Sequence, residues 1–279
     1  MRPPVSYYGG KSRLAGWVAS LLPPHRVYLE PFAGSCAVLL AKPCASHEII
    51  NDLDGDVVNF FRCLRDHEVE LERLCRLTPY AREEFDAADL TDAVDDLERA
   101  RRWWVRATQS INAQVTAHKS FSVSTSRGSG HAWHTLTLVA RFAAVAARIR
   151  TAVIECRPAV EVIAKHAGPD TVVYADPPYL AATRSMLGRK TREYTHEYAS
   201  ESDHRTLAEV LHATPAAVLL SGYPSPLYDE LYAGWQGVER RVHRPSSNAG
   251  GRDVRALEVV WSNRALPAQQ RLAFQEVLA

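Results

Sequence analysis

Short apolar segments alternate with amphipathic segments over much of the chain, which indicates alternating strands and helices. Helical spacing of apolar residues is clearest at Val57, Phe60, Phe61 and Leu64. Such alternation is typical of a mostly parallel sheet covered by helices on both faces, so we predict an α/β fold. The predicted strands are residues 27–29, 48–51, 152–155, 172–174 and 217–221, and further helices are predicted at 11–22, 36–41 and 136–150.

The middle of the chain departs from this alternation. An acidic, helical stretch follows residue 71, and residues 115–135 lose the helical period and are rich in Ser and Thr. We therefore predict a core formed by residues 1–75 and 151–279, with residues 76–150 as an inserted region.

Three loops with chemically active residues follow predicted strands, at residues 30–35, 51–54 and 176–179. Ligands of open parallel sheets bind beyond the carboxyl ends of the strands, so we expect these loops to share one crevice. Gly34 permits close approach of a ligand to the backbone, although an ordinary strand-to-helix turn also explains it. Asp52 can accept both hydroxyls of a ribose, and helix capping is the alternative. The first loop lacks GxGxxG spacing, which favours an adenosine-containing cofactor smaller than a dinucleotide.

The third loop reads Asp-Pro-Pro-Tyr directly after an apolar strand. Pro177 and Pro178 fix a stiff corner whose carbonyl oxygens remain available as acceptors. Asp176 adds a carboxylate, and Tyr179 adds a flat ring. A planar group that carries an amino group fits such a platform, whereas a solvated Asp before a Pro-rich turn is the simpler alternative.

Composition narrows the function classes only slightly. The formal net charge is +1 at pH 7, so any surface that binds nucleic acid must be local. The five cysteines show neither CxxC spacing nor a zinc pattern, which predicts reduced thiols and no metal. The N-terminus lacks an apolar signal segment, and no stretch is long enough to cross a membrane, so we expect a cytoplasmic protein.

Four motifs, in this order, resemble the DNA adenine methylase (Dam) family, the D12 class of N6-adenine-specific DNA methyltransferases. They are YYGGKSRL, EPFAGSCAVLL, the strand-end Asp52 and YADPPY. The resemblance implies a Rossmann-like methyltransferase core, S-adenosylmethionine as cofactor and an inserted target-recognition region that contacts double-stranded DNA. It also implies that the exocyclic N6 of a flipped-out adenine is methylated.

Site residues follow from the resemblance by position. Two departures from the family pattern are Cys36, where glycine is more usual, and Pro158, near the usual place of an Asp that helps to hold the cofactor adenine. The implied catalytic residues are Asp176, Pro177, Pro178 and Tyr179, and the implied cofactor-binding residues are Tyr8, Gly9, Gly10, Lys11, Glu30, Phe32, Gly34, Ser35 and Asp52. Lys11 has two other interpretations, a contact to DNA phosphate and a solvated residue at a helix start.

Basic residues in three regions are predicted to contact DNA, and one of these regions is the Ser-rich loop that carries Lys119 and Arg127. Arg101, Arg102 and Arg106 lie beside two tryptophans on a predicted helix, where a solvated face above buried tryptophans is the alternative. The cluster that includes Arg240 and Arg241 brackets the sequence SSNAGG. The residues predicted to bind DNA are Arg106, Lys119, Arg127, Arg244, Asn248 and Arg252.

Three other functions share these features: an N4-cytosine methyltransferase, an RNA adenine methyltransferase and a catalytically idle, cofactor-binding DNA module. The first more often carries Ser in place of Asp176. The complete Asp-Pro-Pro-Tyr motif and the Glu30 loop argue against the idle module.

Overall fold

The structure is a computed structural model that describes residues 1–7, 10–113, 115, 121–123, 130–180, 198, 200–244 and 254–266, with side chains of 112, 242–244 and 254–256 outside this description. Its centre is a sheet whose described strands are β1 (Val27–Glu30), β2 (His47–Asn51), β3 (Val153–Glu155), β4 (Thr171–Ala175), β5 (Ala217–Gly222), β6 (Gln236–Arg244) and β7 (Val254–Ser262). Their order across the sheet is β3-β2-β1-β4-β5-β7-β6. Strands β1 to β5 are parallel, and β7 is antiparallel to both β5 and β6. The predicted α/β fold is confirmed.

Helices connect the strands and cover both faces of the sheet. The described helices are α1 (Ala15–Leu21), α2 (Ala37–Ala41), α3 (Gly55–Asp66), α4 (Glu68–Leu77), α5 (Arg82–Ala87), α6 (Asp96–Gln109), α7 (His131–Val139), α8 (Phe142–Ile149), α9 (Ala159–His166), α10 (Glu201–Ala213) and α11 (Pro226–Leu231). The N-terminus of α3 is capped by Asp54, whose carboxylate accepts the backbone N–H of Asp56 at 2.9 Å.

The chain reverses its direction across the sheet between β1 and β4. From β1 it proceeds outward to β2 and then β3, whereas β4 lies on the other side of β1 and leads to β5. The loops that leave β1 and β4 therefore diverge and leave a crevice between them, where ligands of open α/β sheets bind.

The described part of residues 76–150 packs into the hydrophobic core. Trp103 and Trp104 of α6 are fully buried in the same apolar cluster as Val18 of α1, Leu39 of α2 and Phe142 of α8. A second cluster covers the opposite face of the sheet, against α9 and α10. The division into a core of residues 1–75 and 151–279 and an inserted target-recognition region of residues 76–150 remains a prediction.

Two predicted helices have different bounds in the structure. Residues 11–14 form a turn in which the backbone N–H of Leu14 and of Ala15 both donate to the Lys11 carbonyl, so α1 begins only at Ala15. The helix predicted at 136–150 is two helices, α7 and α8, and the backbone N–H of Arg141 donates to the Leu138 carbonyl in the tight turn between them. No helix among the described residues is long and apolar enough to span a membrane.

Candidate active site

The three loops predicted to share a crevice do so. Residues from each of them line one pocket with an empty volume of about 1040 Å³, including the solvent at its mouth. The pocket opens at the carboxyl ends of β1, β2 and β4 and has room for ligands of nucleoside size. Its lining includes Gly10, Lys11, Glu30, Phe32, Gly34, Ser35, Asp52, Asp176, Pro177, Pro178 and Tyr179, all of them predicted site residues.

Glycines allow close packing of the segments at the base of the pocket. A Cβ atom on Gly10 would lie 2.9 Å from the Tyr7 carbonyl oxygen, and Gly34 has a φ of +47°. A Cβ atom on Gly34 would also lie 3.1 Å from the Tyr7 ring. The N-terminal segment and the loop after β1 therefore need glycine at both positions.

Cys36 occupies a backbone conformation that favours glycine. Its φ is 55° and its ψ is 31°, in the left-handed region, and the residue is fully buried immediately before α2. Glycine adopts this geometry without cost, whereas cysteine carries a strain of order 1 kcal/mol. The Cys36 side chain packs in the core, whereas Ser35 and Ala37 line the pocket.

Asp52 fixes the edge of the pocket through its carboxylate. Its Oδ2 accepts the backbone N–H of Gly34 at 2.8 Å, and its Oδ1 accepts the backbone N–H of Asp54 at 3.0 Å. Asp54 is the residue that caps α3. Helix capping is therefore not the role of Asp52, whose half-buried carboxylate faces the pocket between two loops.

Glu30 is a buried acid at the end of β1. Its Oε2 accepts the Tyr28 hydroxyl at 2.9 Å and the backbone N–H of Leu39 at 3.1 Å, so it ties β1 to α2. Burial raises the pKa of Glu30 to about 8, against the opposing effect of these two hydrogen bonds. Burial thus favours the protonated form of Glu30.

Lys11 forms a buried ion pair with Asp176. Its Nζ lies 2.8 Å from Asp176 Oδ1 and 3.0 Å from Glu258 Oε1, and it also donates to the Tyr179 hydroxyl. Burial lowers the pKa of Lys11, but the carboxylates of Asp176 and Glu258 outweigh burial and raise it overall. Lys11 is only 6% exposed, so the solvated alternative predicted for it is wrong.

Asp176 keeps part of its carboxylate open to the pocket. Its side chain is 17% exposed, and burial raises its pKa to about 6 although Lys11 opposes that effect. Tyr179 donates its hydroxyl to Glu258 Oε1 at 2.8 Å, and its ring centroid lies 4.4 Å from that of Tyr223. Lys11 thus favours the ionised form of Asp176, whereas burial opposes it. The Tyr179 ring is held by its hydroxyl and by its contact with the Tyr223 ring.

The far wall of the pocket is apolar. Pro158, Ala159 and Val160 line it at the start of α9. Phe32 and Tyr198 line the pocket as well, with an edge-to-face contact between rings 5.6 Å apart. An apolar, flat group suits this wall better than a polar one.

Arg106 does not lie on a DNA-binding surface. It is 3% exposed, its Nε donates to the Val115 carbonyl at 2.7 Å, and its guanidinium packs 5.5 Å from the Phe85 ring centroid. The prediction that Arg106 contacts DNA is therefore corrected, since a side chain enclosed by the helices cannot reach a phosphate. Arg101 and Arg102 form ion pairs, with Glu98 as their shared partner.

Several predicted site residues lie outside the described part of the chain: Tyr8, Gly9, Lys119, Arg127, Asn248 and Arg252. Arg244 ends β6, paired in register with Val254, and its side chain is likewise not described. DNA contacts by the SSNAGG segment and by residues 115–135 remain predictions.

Two residues of the site were missed from the sequence. Asn51 donates to the carbonyls of Pro31 and Arg157 and accepts the Arg157 backbone N–H, so it joins three loops. Glu258 is the single acid in the apolar strand sequence LEVVWS. A lone carboxylate in a buried strand requires a cationic or donor partner, and that signal was available in the sequence.

These features define a class: an α/β protein with a nucleoside-sized pocket at the switch point of its sheet and an Asp-Pro-Pro-Tyr corner in that pocket. Residues 7–245 match the family of D12 class N6 adenine-specific DNA methyltransferases, and the chain belongs to this family. It is therefore an enzyme whose substrate is DNA. Among the described residues, no group of three or more His, Cys, Asp and Glu side chains is arranged to hold a metal ion.

Similarity to individual proteins extends over most of the chain. The Type II methyltransferase M1.LlaDCHI of Lactococcus lactis subsp. cremoris is 26% identical over 279 residues, which span 94% of this chain and 95% of that protein. The putative methyltransferase yhhF of Escherichia coli has a TM-score of 0.34 at 11% identity, covering 91% of this chain and 83% of that one. A SAM-dependent methyltransferase of Agrobacterium tumefaciens has the same TM-score and identity, covering 91% and 61%. The family assignment rests on the sequence match.

Membership of the family implies S-adenosylmethionine as the cofactor. The residues present fit this molecule: Asp52 offers a carboxylate to a ribose at one side of the pocket, and Pro158 and Val160 offer an apolar surface to a flat base. Asp176 is an ionised group that also suits a cationic sulfonium in the same pocket.

Proposed function

We propose that this protein transfers a methyl group to the N6 atom of adenine in double-stranded DNA, and that the target base is flipped out of the duplex. The observation that carries this proposal is the position of Asp176. Its half-buried carboxylate, paired with Lys11, follows β4 and lines the same pocket as the glycine loop that follows β1. Acceptor and cofactor-binding segments therefore face one cavity.

Adenine N6 is a weak nucleophile because its lone pair is delocalised into the ring. The Asp176 carboxylate and the Pro177 carbonyl would accept its two hydrogens and draw the nitrogen toward tetrahedral geometry, which frees the lone pair. The two prolines fix the corner in advance, so little reorganisation accompanies the reaction. S-Adenosylmethionine, when bound, supplies an activated methyl group.

Other residues of the chain support this arrangement. Lys11 stabilises the ionised form of Asp176, since its ammonium lies 2.8 Å from Oδ1. Tyr179 would contact the face of the flipped base, whose removal from the stack costs a few kcal/mol. Gly10, Gly34 and Ser35 would approach the cofactor, together with Phe32, while Asp52 would hold the ribose. Tyr8, Gly9, Lys119, Arg127, Arg244, Asn248 and Arg252 complete the proposed cofactor and DNA contacts.

Product analysis tests the proposal. Duplex DNA, single-stranded DNA and RNA of mixed sequence are incubated separately with the protein and with methyl-labelled cofactor, and each sample is digested to nucleosides. We expect labelled N6-methyladenine, and most of it from duplex DNA. Labelled N4-methylcytosine, label in RNA alone, or no label would each contradict the proposal.

Base flipping needs a second measurement. Methylation-sensitive sequencing of plasmid DNA from expressing cells gives the methylated site, and 2-aminopurine is then placed at the target position. We expect its fluorescence to increase when the protein binds, because an extruded base is unstacked. Unchanged fluorescence at saturating protein would contradict extrusion without affecting the product assignment.

A further inference from the structure

Glu258 lies in the middle of β7, on the sheet face that α1 covers. Its neighbour on that face, Val260, is fully buried, and its partner in register on β6 is Arg240. Glu258 itself is 3% exposed. The cost of burying an ionised acid is offset only when hydrogen bonds and an opposite charge compensate it.

One oxygen atom of Glu258 has both kinds of partner. Oε1 accepts the Tyr179 hydroxyl at 2.8 Å and lies 3.0 Å from Lys11 Nζ. Lys11 in turn lies 2.8 Å from Asp176 Oδ1. Glu258 therefore contacts Lys11, which pairs with Asp176, and Tyr179, the last residue of the Asp-Pro-Pro-Tyr corner. Glu258 itself does not line the pocket.

We propose that Glu258 is a positioning residue for methyl transfer, which fixes the Tyr179 ring and the Lys11 ammonium so that the Asp176 carboxylate keeps its orientation toward the base. This inference rests on the proposed function. Lys11 has a four-carbon stem, and Tyr179 rotates about two torsions. A shared buried acceptor limits both side chains to one arrangement and reduces the reorganisation required when the base enters.

The charges around Asp176 give this proposal a distinctive readout. Burial raises the pKa of Asp176 to about 6; Lys11 opposes this effect, and the Glu258 carboxylate adds to it. Among the residues that the structure describes, the other titratable groups that interact with the cluster are Tyr174, Tyr179, Tyr228 and Glu30. Asp176 must be ionised to accept a hydrogen from N6, so activity falls as the pH drops through this pKa. Removing the Glu258 charge lowers that pKa and moves the acid limb to lower pH.

The experiment compares Glu258→Gln with the wild type, using initial rates over pH 4.5 to 8.5 and separate values of kcat and KM. We expect kcat at pH 7.5 to fall about tenfold, since the charged contact to Lys11 is lost, while KM for the cofactor changes less than about twofold. The midpoint of the acid limb should move below its wild-type value. Glu239→Gln is the matched control, because Glu239 lies on β6 and is exposed. In this variant neither kcat nor the midpoint of the acid limb should change.

A second variant separates positioning from folding. Tyr179→Phe keeps the ring but loses the hydroxyl donated to Glu258, so we expect a lower kcat in a protein with normal cofactor affinity. If Glu258→Gln does not fold, the kcat of Tyr179→Phe tests the positioning role of Glu258 instead. Wild-type kcat in Tyr179→Phe, or an unmoved acid limb with unchanged kcat in a folded Glu258→Gln, would overturn the inference. Product analysis of the wild-type protein tests the proposed function independently. Failure of the proposed function is therefore distinguishable from failure of the positioning role of Glu258.

Discussion

Asp52 accepts the backbone N–H of Gly34 at 2.8 Å, a contact that joins the loop after β2 to the loop after β1. Because the same carboxylate faces the pocket, we expect Asp52→Ala to weaken cofactor binding by roughly 1 to 3 kcal/mol. Titration calorimetry measures this directly. The matched control is Asp56→Ala, a nearby acid that pairs with Arg99 instead. Equal losses in both variants, or none in Asp52→Ala, would assign Asp52 a purely structural role.

The fold was predictable because the strands carry local signals. Four residues at β4, Val172 to Ala175, are apolar or aromatic and end at a proline corner, so the strand, its end and its loop could be assigned from the chain alone. The start of the first helix was predicted at Lys11, whereas α1 begins at Ala15. The side chain of Lys11 is held by partners that lie far away in the sequence. Local patterns carry no information on such contacts.

Electrostatic partners could not be predicted for the same reason. Arg106 has the spacing of a surface residue, yet the tertiary packing of α6 buries it. Lys11 and Glu258 lie far apart in the sequence and meet only in the folded chain. The glycine loop and the Asp-Pro-Pro-Tyr corner differ from these ion pairs, because each of the two is a contiguous segment at a strand end and is visible in the sequence. The contents of the pocket were therefore predictable, and the ion pairs beneath it were not.

Lys11→Met should shift the pH dependence in the direction opposite to Glu258→Gln. The Lys11 ammonium lowers the pKa of Asp176, so its loss raises that pKa above about 6 and moves the acid limb of kcat/KM to higher pH. Removing one partner of a buried pair also destabilises the fold, by roughly 3 kcal/mol. Lys165→Met is the control, because Lys165 is 57% exposed and pairs with Glu155 at the surface. A lower or unchanged acid limb in Lys11→Met would contradict the assigned role of this ion pair.

Glu30→Gln should alter the pH dependence of stability. The folded-state pKa of Glu30 is about 8, above the ordinary value of 4.5. An acid with a raised folded pKa contributes stability that is fully present below pH 4.5 and is lost as the pH rises through 8. Glutamine cannot ionise, so the Tm of Glu30→Gln relative to wild type should increase over this window and then level off. A constant difference from pH 4.5 to 8.5 would show that Glu30 is not the titrating group.

Thiol labelling should divide the cysteines into two groups. Cys36, Cys63 and Cys75 are buried, and burial raises the pKa of each thiol, so they should react only after unfolding. Cys44 and Cys156 are exposed and should react in the folded protein. Cys156 lies beside Leu53, which lines the pocket, so saturating cofactor should slow its alkylation while Cys44 serves as the internal control. Equal rates at Cys156 with and without cofactor would place the cofactor elsewhere.

The basic segment after β6 should bind DNA through phosphates. Arg244 ends β6, whose exposed residues include Arg240 and Arg241, and Arg252 belongs to the sequence between β6 and β7, outside the described residues. Contacts to phosphate release counterions, so Arg244→Ala and Arg252→Ala should weaken binding to target and non-target duplexes alike. The slope of log affinity against log salt should decrease by about one for each lost contact.

Arg106 provides the contrast for this experiment. Because it is buried against Phe85, Arg106→Leu should change the free energy of unfolding and leave the salt slope at its wild-type value. Cofactor affinity should be unchanged in Arg244→Ala and Arg252→Ala, since neither belongs to the cofactor motifs. If these two substitutions changed only which sequence is methylated, at an unchanged slope, the arginines would read base edges. A reduced slope of log affinity against log salt in Arg106→Leu would show that Arg106 does contact DNA. Counterion release depends on phosphate contacts and not on buried packing.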